Sequence, residues 1–358
     1  GSFGMAVSTA MIFGLVSLMF LDTSINMAMQ PFKMMVGDMV NEKQKGLAYS
    51  IQSFLCNAGS LVGFLFPFIF TWIGISNIAP QGVVPDSVIY SFYIGAAILI
   101  LCVIYTTVKV KEMPPAEYAE YHGITEEEEK EKINMVKLLI KAPKAFWTVG
   151  LVQFFCWFAF MFMWTYTNGS VAANVFDAPT VETAVNGVSK VMLDTKSIQY
   201  QDAADWVGVL FAVQAIGSVL WAVCIPLFKD RKLIYSLSLV LGGLGFISTY
   251  FVHNQYVLFI SFLLIGCAWA AMLALPFTIL TNALSGGHMG TYLGLFNGTI
   301  CIPQIVAASL GGSILALFTP KGMLPPEINM LVMAGIMLII GAVCVYLIKE
   351  TKGEQTKA

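Results

Sequence analysis

The sequence predicts an all-α, polytopic membrane protein built as a bundle of membrane-spanning helices. Three observations carry this. Of the 358 residues, 58% are hydrophobic and only 11% charged, where soluble domains run at about 25% charged. Mean hydropathy is +0.78. Nine apolar runs, 3–31, 47–74, 86–108, 146–170, 205–228, 233–252, 255–283, 289–318 and 326–348, are each long enough to cross a bilayer, which takes about 20 residues. The net charge of −2 identifies no partner class. The seven cysteines all lie inside apolar runs, without CxxC spacing or a histidine cluster, so neither disulfides nor a metal site is expected. The three histidines are far apart, so no histidine-based catalysis is expected either.

The first run carries a carboxylate, Asp22, in its interior. A charge at mid-membrane costs at least about 2.5 kcal/mol, and such residues face a bundle interior or a water-filled cavity. Asn26, Gln30 and Lys33 follow on the same side of the helix, making a polar stripe from mid-membrane to one surface. Helix-to-helix adhesion is the bland alternative, but Ser or Thr serves that purpose more cheaply than a carboxylate. No cation shares the depth of Asp22, so desolvation is expected to favour its neutral acid. No signal peptide is visible, and the chain opens directly into a membrane run without an initiating Met, so helices are expected to be missing from its front.

Connections alternate in charge. Loops 32–46, 109–145, 229–232 and 284–288, with the tail from Lys349, hold 16 of the 19 basic residues. The positive-inside rule makes that face cytoplasmic, with the C-terminus inside. Loop 109–145 holds an acidic run, Glu126–Glu129, expected to be solvated. It then has Ile133, Val136, Leu139 and Ile140 at helical spacing, which reads as an amphipathic helix at the interface. This loop divides the runs into three before and six after. A cytoplasmic connector between two six-helix halves is a transporter plan. The expected division is therefore 1–108 as the last three helices of one half, 109–145 as the connector, 146–348 as the other half, and 349–358 as a cytoplasmic tail.

Polar and aromatic residues interrupt the later runs. In 146–170 these are Gln153, Trp157, Trp164, Tyr166, Thr167 and Asn168. Aromatic faces beside amides suit sugar rings, whose C–H faces stack while their hydroxyls hydrogen-bond. Trp164 and Tyr166 fit an interfacial belt equally well, whereas Trp157 is too deep for one. Gln214 and Trp221 lie in 205–228, and Trp269 and Pro276 in 255–283. Asn297 and the pair Pro303–Gln304 lie at mid-depth in 289–318, where a proline frees a carbonyl that a neighbour or water must satisfy. Gly59/Gly63 and Gly294/Gly298 read as close-packing pairs. Asp202 and Asp205 are expected to cap the start of the next helix.

The run LDTSINMAMQPFKMMVGDM resembles a segment of the sucrose and maltose proton symporters, in the glycoside–pentoside–hexuronide:cation group of the major facilitator superfamily. The positions that carry the likeness are Leu21, Asp22, Asn26, Gln30, Pro31, Lys33, Asp38 and Met39. QFFCWFAFMFMWTYT at 153–167, ALPFTILTNAL at 274–284 and GLFNGTICIPQIVAASLGG at 294–312 resemble the family's seventh, tenth and eleventh helices in order. The resemblance implies the superfamily's helix bundle, with nine spans present of twelve. It implies proton-coupled uptake of a disaccharide such as maltose or sucrose by alternating access, with Asp22 as the protonated residue. The family's basic position is Arg in plant relatives and Lys33 here. Its membrane arginine has no counterpart, since Arg231 is the one arginine of the chain.

Asn26, Gln30, Gln153, Trp157, Asn297 and Gln304 are the expected sugar-binding residues. No organic cofactor is expected, and the coupling ion is the proton. A sodium-coupled or uncoupled glycoside transporter is the alternative, although sodium sites gather two or more carboxylates and one is visible. A membrane enzyme would need an acid–base pair, a metal or a nucleophile near a span end, and none is seen. The expected partners are a sugar and the lipid bilayer, with no nucleic acid. The expected state is a monomer in the plasma (inner) membrane.

Overall fold

The computed structural model describes residues 2–41, 44–75, 86–111, 114, 117, 135–185, 188–284 and 289–348. The acidic run Glu126–Glu129, Ile133 and the tail 349–358 lie outside them. The helices, in chain order, are α1 (Ser2–Met39), α2 (Lys45–Trp72), α3 (Asp86–Lys109), α4 (Met135–Lys141), α5 (Lys144–Asn174), α6 (Ile198–Cys224), α7 (Arg231–Ser248), α8 (Leu258–Ala283), α9 (Met289–Phe296), α10 (Gly298–Phe318) and α11 (Ile328–Cys344). Eight stretches are long and apolar enough to cross a membrane among the described residues, α9 and α10 together forming one of them. The remaining sequence run, 47–74, coincides with α2.

Helix ends follow local chemistry. Asp230 caps α7, accepting from the amides of Lys232 at 2.9 Å and Leu233 at 3.0 Å. Asn254 accepts from Tyr256 N at 2.9 Å just before α8. Helix α6 begins earlier than its apolar run. Ser197 is its cap, its hydroxyl accepting from Tyr200 N at 3.3 Å. Asp202 and Asp205 therefore lie inside the helix rather than capping it, because Ser197 ends the preceding turn and supplies the acceptor first. The run 289–318 divides at Asn297, whose amide bonds the carbonyls of both Leu293 and Gly294 at 3.2 Å. Pro303 follows within two turns, and its ring displaces the carbonyl of Thr299 from the helical ladder.

A two-stranded antiparallel sheet connects α5 to α6: β1 (Thr180–Val185) and β2 (Val188–Leu193), with Thr180 opposite Leu193 and Val185 opposite Val188. Asp194 N continues the ladder to Pro179 O at 2.8 Å. The end of the bundle carrying this sheet is called the hairpin end below.

The core sits in the second part of the chain. Helix α11 packs between α5 and α7, α8 between α6 and α7, α10 on α5, and α2 on α6 and α8. Helix α1 meets α2 and α9 only lightly, and α3 meets α2. Side chains 12–28 of α1 are exposed apart from the half-buried Asn26.

Small residues permit the closest approaches, as expected where lipid removes the hydrophobic drive between helices. A methyl group on Gly335 of α11 would stand 2.6 Å from the Gly243 carbonyl oxygen of α7, and one on Gly243 would stand 2.9 Å from that of Gly335. The pairs singled out in the sequence are not used this way. Among the described residues, a methyl group on Gly59, Gly63 or Gly294 would have nothing within 4 Å, and one on Gly298 would meet Ile302 of its own helix at 3.9 Å. Spacing of four aligns glycines on a face but does not say whether another helix lies there.

Candidate functional site

Gln153, Trp157, Phe160 and Trp164 recur every three or four residues on α5, so they share one stripe. That stripe faces α8. The Trp269 ring of α8 lies 5.7 Å from Trp157, 5.7 Å from Trp164 and 4.8 Å from Phe160, centroid to centroid. Trp157 and Trp164 are 6.4 Å apart. Three indoles from two helices thus form one group, with Trp269 at its centre. Trp164 is 44% exposed, so the group opens at one side. Trp157 Nε1 is buried and donates to nothing among the described residues.

Gln153 is 2% exposed. Its Nε2 donates to Met272 O of α8 at 3.0 Å and to the Tyr235 hydroxyl of α7 at 3.4 Å. Its Oε1 is buried and accepts nothing among the described residues. An amide with one end fixed presents its other end in a defined direction. Buried polar atoms are nearly always bonded, so an unbonded donor and acceptor four residues apart on one stripe mark a place for a ligand or water with hydroxyl groups.

Helix α2 adds a polar face. Ser53 donates to Ala270 O of α8 at 3.3 Å, and Asn57 Nδ2 donates to Ser53 O at 2.7 Å. Asn57 Oδ1 and Gln52 Nε2 are buried without a partner among the described residues. Helix α8 therefore takes indoles on one side and amides on another. Trp221 has a plainer role, since its Nε1 donates to the Ser238 hydroxyl at 2.8 Å and holds α6 to α7.

Of the expected residues, Gln153 and Trp157 share one stripe of α5, whereas Asp22, Asn26, Asn297 and Gln304 lie outside that helix. Asp22 is exposed on α1 rather than packed in the bundle interior, because α1 touches α2 and α9 only lightly among the described residues. Asn26 Nδ2 bonds the Asp22 backbone oxygen at 2.9 Å. The side chains of Gln30 and Lys33 lie outside the described residues. Asn297 marks the α9–α10 break, its Nδ2 3.9 Å from Cys301 Sγ. Its neighbour Thr299 lies against Gly150 of α5, where a methyl group would stand 3.0 Å from the threonine side chain. Gln304 is half-buried on α10.

Sequence reasoning passed over Gln52, Asn57 and Glu327, and noted Trp269 without assigning it to the site. Amides in an apolar helix were a usable signal for the first two. Glu327 is the residue before α11, and burial pushes its acid up to about 7. It is half-buried and lies one residue before the span Ile328–Leu347.

The sequence pattern of the Major Facilitator Superfamily matches residues 1–187 and again 171–358. No protein of curated function matches the chain in sequence. Among solved structures, that of an E. coli fucose:proton symporter, FucP, is similar, with a TM-score of 0.55 at 14% identity, over 87% of this chain and 71% of that one. At that identity the likeness is one of fold.

Proposed function

Since the chain belongs to the Major Facilitator Superfamily, we propose that this transporter takes up a sugar, driven by protons. The observation that carries the substrate class is the tryptophan group. Trp157, Trp164 and Trp269 present indole faces and one unbonded N–H beside the free carbonyl of Gln153. Sugar rings offer apolar C–H faces for such surfaces and hydroxyls that both donate and accept. The fold likeness to a fucose:proton symporter agrees with a sugar. The resemblance of the α1 motif favours a disaccharide of the maltose or sucrose kind.

Asp22 is the proposed proton site. It stands at mid-depth on an apolar helix, where a carboxylate is too costly to keep without a function. Asn26 and Gln30 extend its stripe as hydrogen-bonding groups. Asn297 and Gln304, on the broken α9–α10 run, complete the proposed sugar contacts. Residues 1–108, as the last three helices of one half, and 146–348, as the other half, are proposed to rock against each other where α2 lies on α6 and α8. The basic loops face the cytoplasm on this reading, with the hairpin end outside.

The test is uptake of labelled maltose and sucrose into liposomes holding the protein under an inward proton gradient, with and without an uncoupler. Accumulation abolished by the uncoupler supports proton symport. Equilibration without accumulation would replace it with sodium-coupled or uncoupled transport, separated by adding sodium at fixed pH. No movement of any sugar would overturn the substrate class.

A further inference from the structure

The seam between α5 and α11 closes, at its hairpin end, on a single carboxylate. Glu327 occupies the capping position of α11, yet its side chain bonds none of that helix's own amides. It turns across the seam instead. A methyl group on Gly169 of α5 would overlap the Glu327 carboxylate, so the acid lies directly on the glycine backbone. One turn earlier Tyr166 is buried, and its hydroxyl oxygen would be 2.6 Å from a methyl group on Gly311 of α10. The acid thus lies between α5 and α11, with α10 packed against Tyr166 one turn away. Asn168, beside Gly169, holds a buried amide oxygen without a donor among the described residues.

No cation balances the acid among the described residues. Tyr166 is the titratable group facing it from α5. Helices α10 and α11 contain no charged residue, and Lys321, in the turn before Glu327, is exposed. The helix N-terminus favours the anion by up to about 1 kcal/mol at an exposed site. Here desolvation outweighs it, holding the acid near 7, one residue outside the span Ile328–Leu347.

We propose that Glu327 is a second proton-binding site, which locks α11 onto α5 when neutral and loosens the hairpin end of that seam when ionised. The neutral acid can donate to a backbone or amide oxygen and lie against Gly169. The ionised acid faces buried surface without a counter-ion, which is costly. Helix α5 also carries the tryptophan stripe, so the seam bears on the proposed sugar site. That last link rests on the transport reading; the titration does not.

The experiment is an infrared titration of the carboxyl band in the full chain in lipid nanodiscs, for the parent and Glu327→Gln, without sugar. Hydrogen exchange of amides 328–331 is followed in parallel, corrected for the intrinsic effect of pH. The parent should show a carboxyl band lost with a midpoint near 7 that Glu327→Gln lacks. Exchange should rise at least roughly tenfold across that midpoint in the parent and stay flat in the variant. Identical band titrations would overturn the proposal, as would loss of the Glu327 band in the ordinary carboxylate range. A titrating band with unchanged exchange would overturn the lock. Failure of sugar uptake would bear only on the transport reading.

Discussion

The indole of Trp157 on α5 meets that of Trp269 on α8 edge to face, with ring planes at 77°. This contact fixes both rings while the Trp157 N–H stays unbonded among the described residues. A group held rigidly and left unsatisfied costs the empty protein and rewards a ligand that completes it.

Trp157→Phe should therefore separate binding from folding. It keeps an aromatic ring and removes the donor, so the melting temperature should hold. Sugar affinity should fall by roughly tenfold, the value of one hydrogen bond of about 1–1.5 kcal/mol. Isothermal titration beside thermal unfolding in detergent reads both. Trp269→Ala should lose stability as well, by about 3–5 kcal/mol, because that ring touches three others.

Asp22→Asn should abolish accumulation of sugar against its gradient while leaving equilibration intact. Counterflow exchange in liposomes measures the second, and proton-driven uptake the first. Accumulation equal to the parent would remove Asp22 from the coupling step.

Stability should depend on pH through Glu327. Its acid is raised in the fold, so its contribution is fully present below about 4.5, the ordinary glutamate value, and is lost as pH rises through about 7. The melting temperature should fall across that window in the parent and stay level in Glu327→Gln. Gly169→Ala should also flatten the profile, since its methyl group displaces the carboxylate.

Glycine substitutions should divide by site. Gly243→Ala and Gly335→Ala push a methyl group onto a facing carbonyl and should destabilise by about 1–3 kcal/mol. Gly59→Ala and Gly63→Ala meet open space within the described fold and should be neutral, or stabilising by up to about 1 kcal/mol. Thermal unfolding of the four variants in one detergent distinguishes the two classes.

Apolar run length located eight of the nine expected spans among the described residues, because crossing a bilayer is a one-dimensional demand that neighbours do not alter. The stripe of Gln153 and Trp157 was legible for the same reason, being a matter of helical spacing. What the stripe faces was not: Trp269 joins it from 112 positions further along the chain, and only packing brings the two together. The glycine pairs failed on the same ground. The sheet between α5 and α6 had a local signal that went unread, Asn186–Gly187 between alternating residues, the pattern of a two-residue hairpin. Glu327 carried no signal in the sequence that set it apart from other charges at helix ends. Its carboxylate lies against Gly169 of α5, and no feature near residue 327 announces that.

The hairpin has a mechanical consequence. Its paired feet, Thr180 and Leu193, with the further bond from Asp194 to Pro179, hold the exit of α5 and the entrance of α6 side by side. A plain linker of that length would let the two helices slide independently. The ladder instead makes them a yoked pair, so a tilt of the tryptophan-bearing helix is delivered to α6, and through α6 to α2.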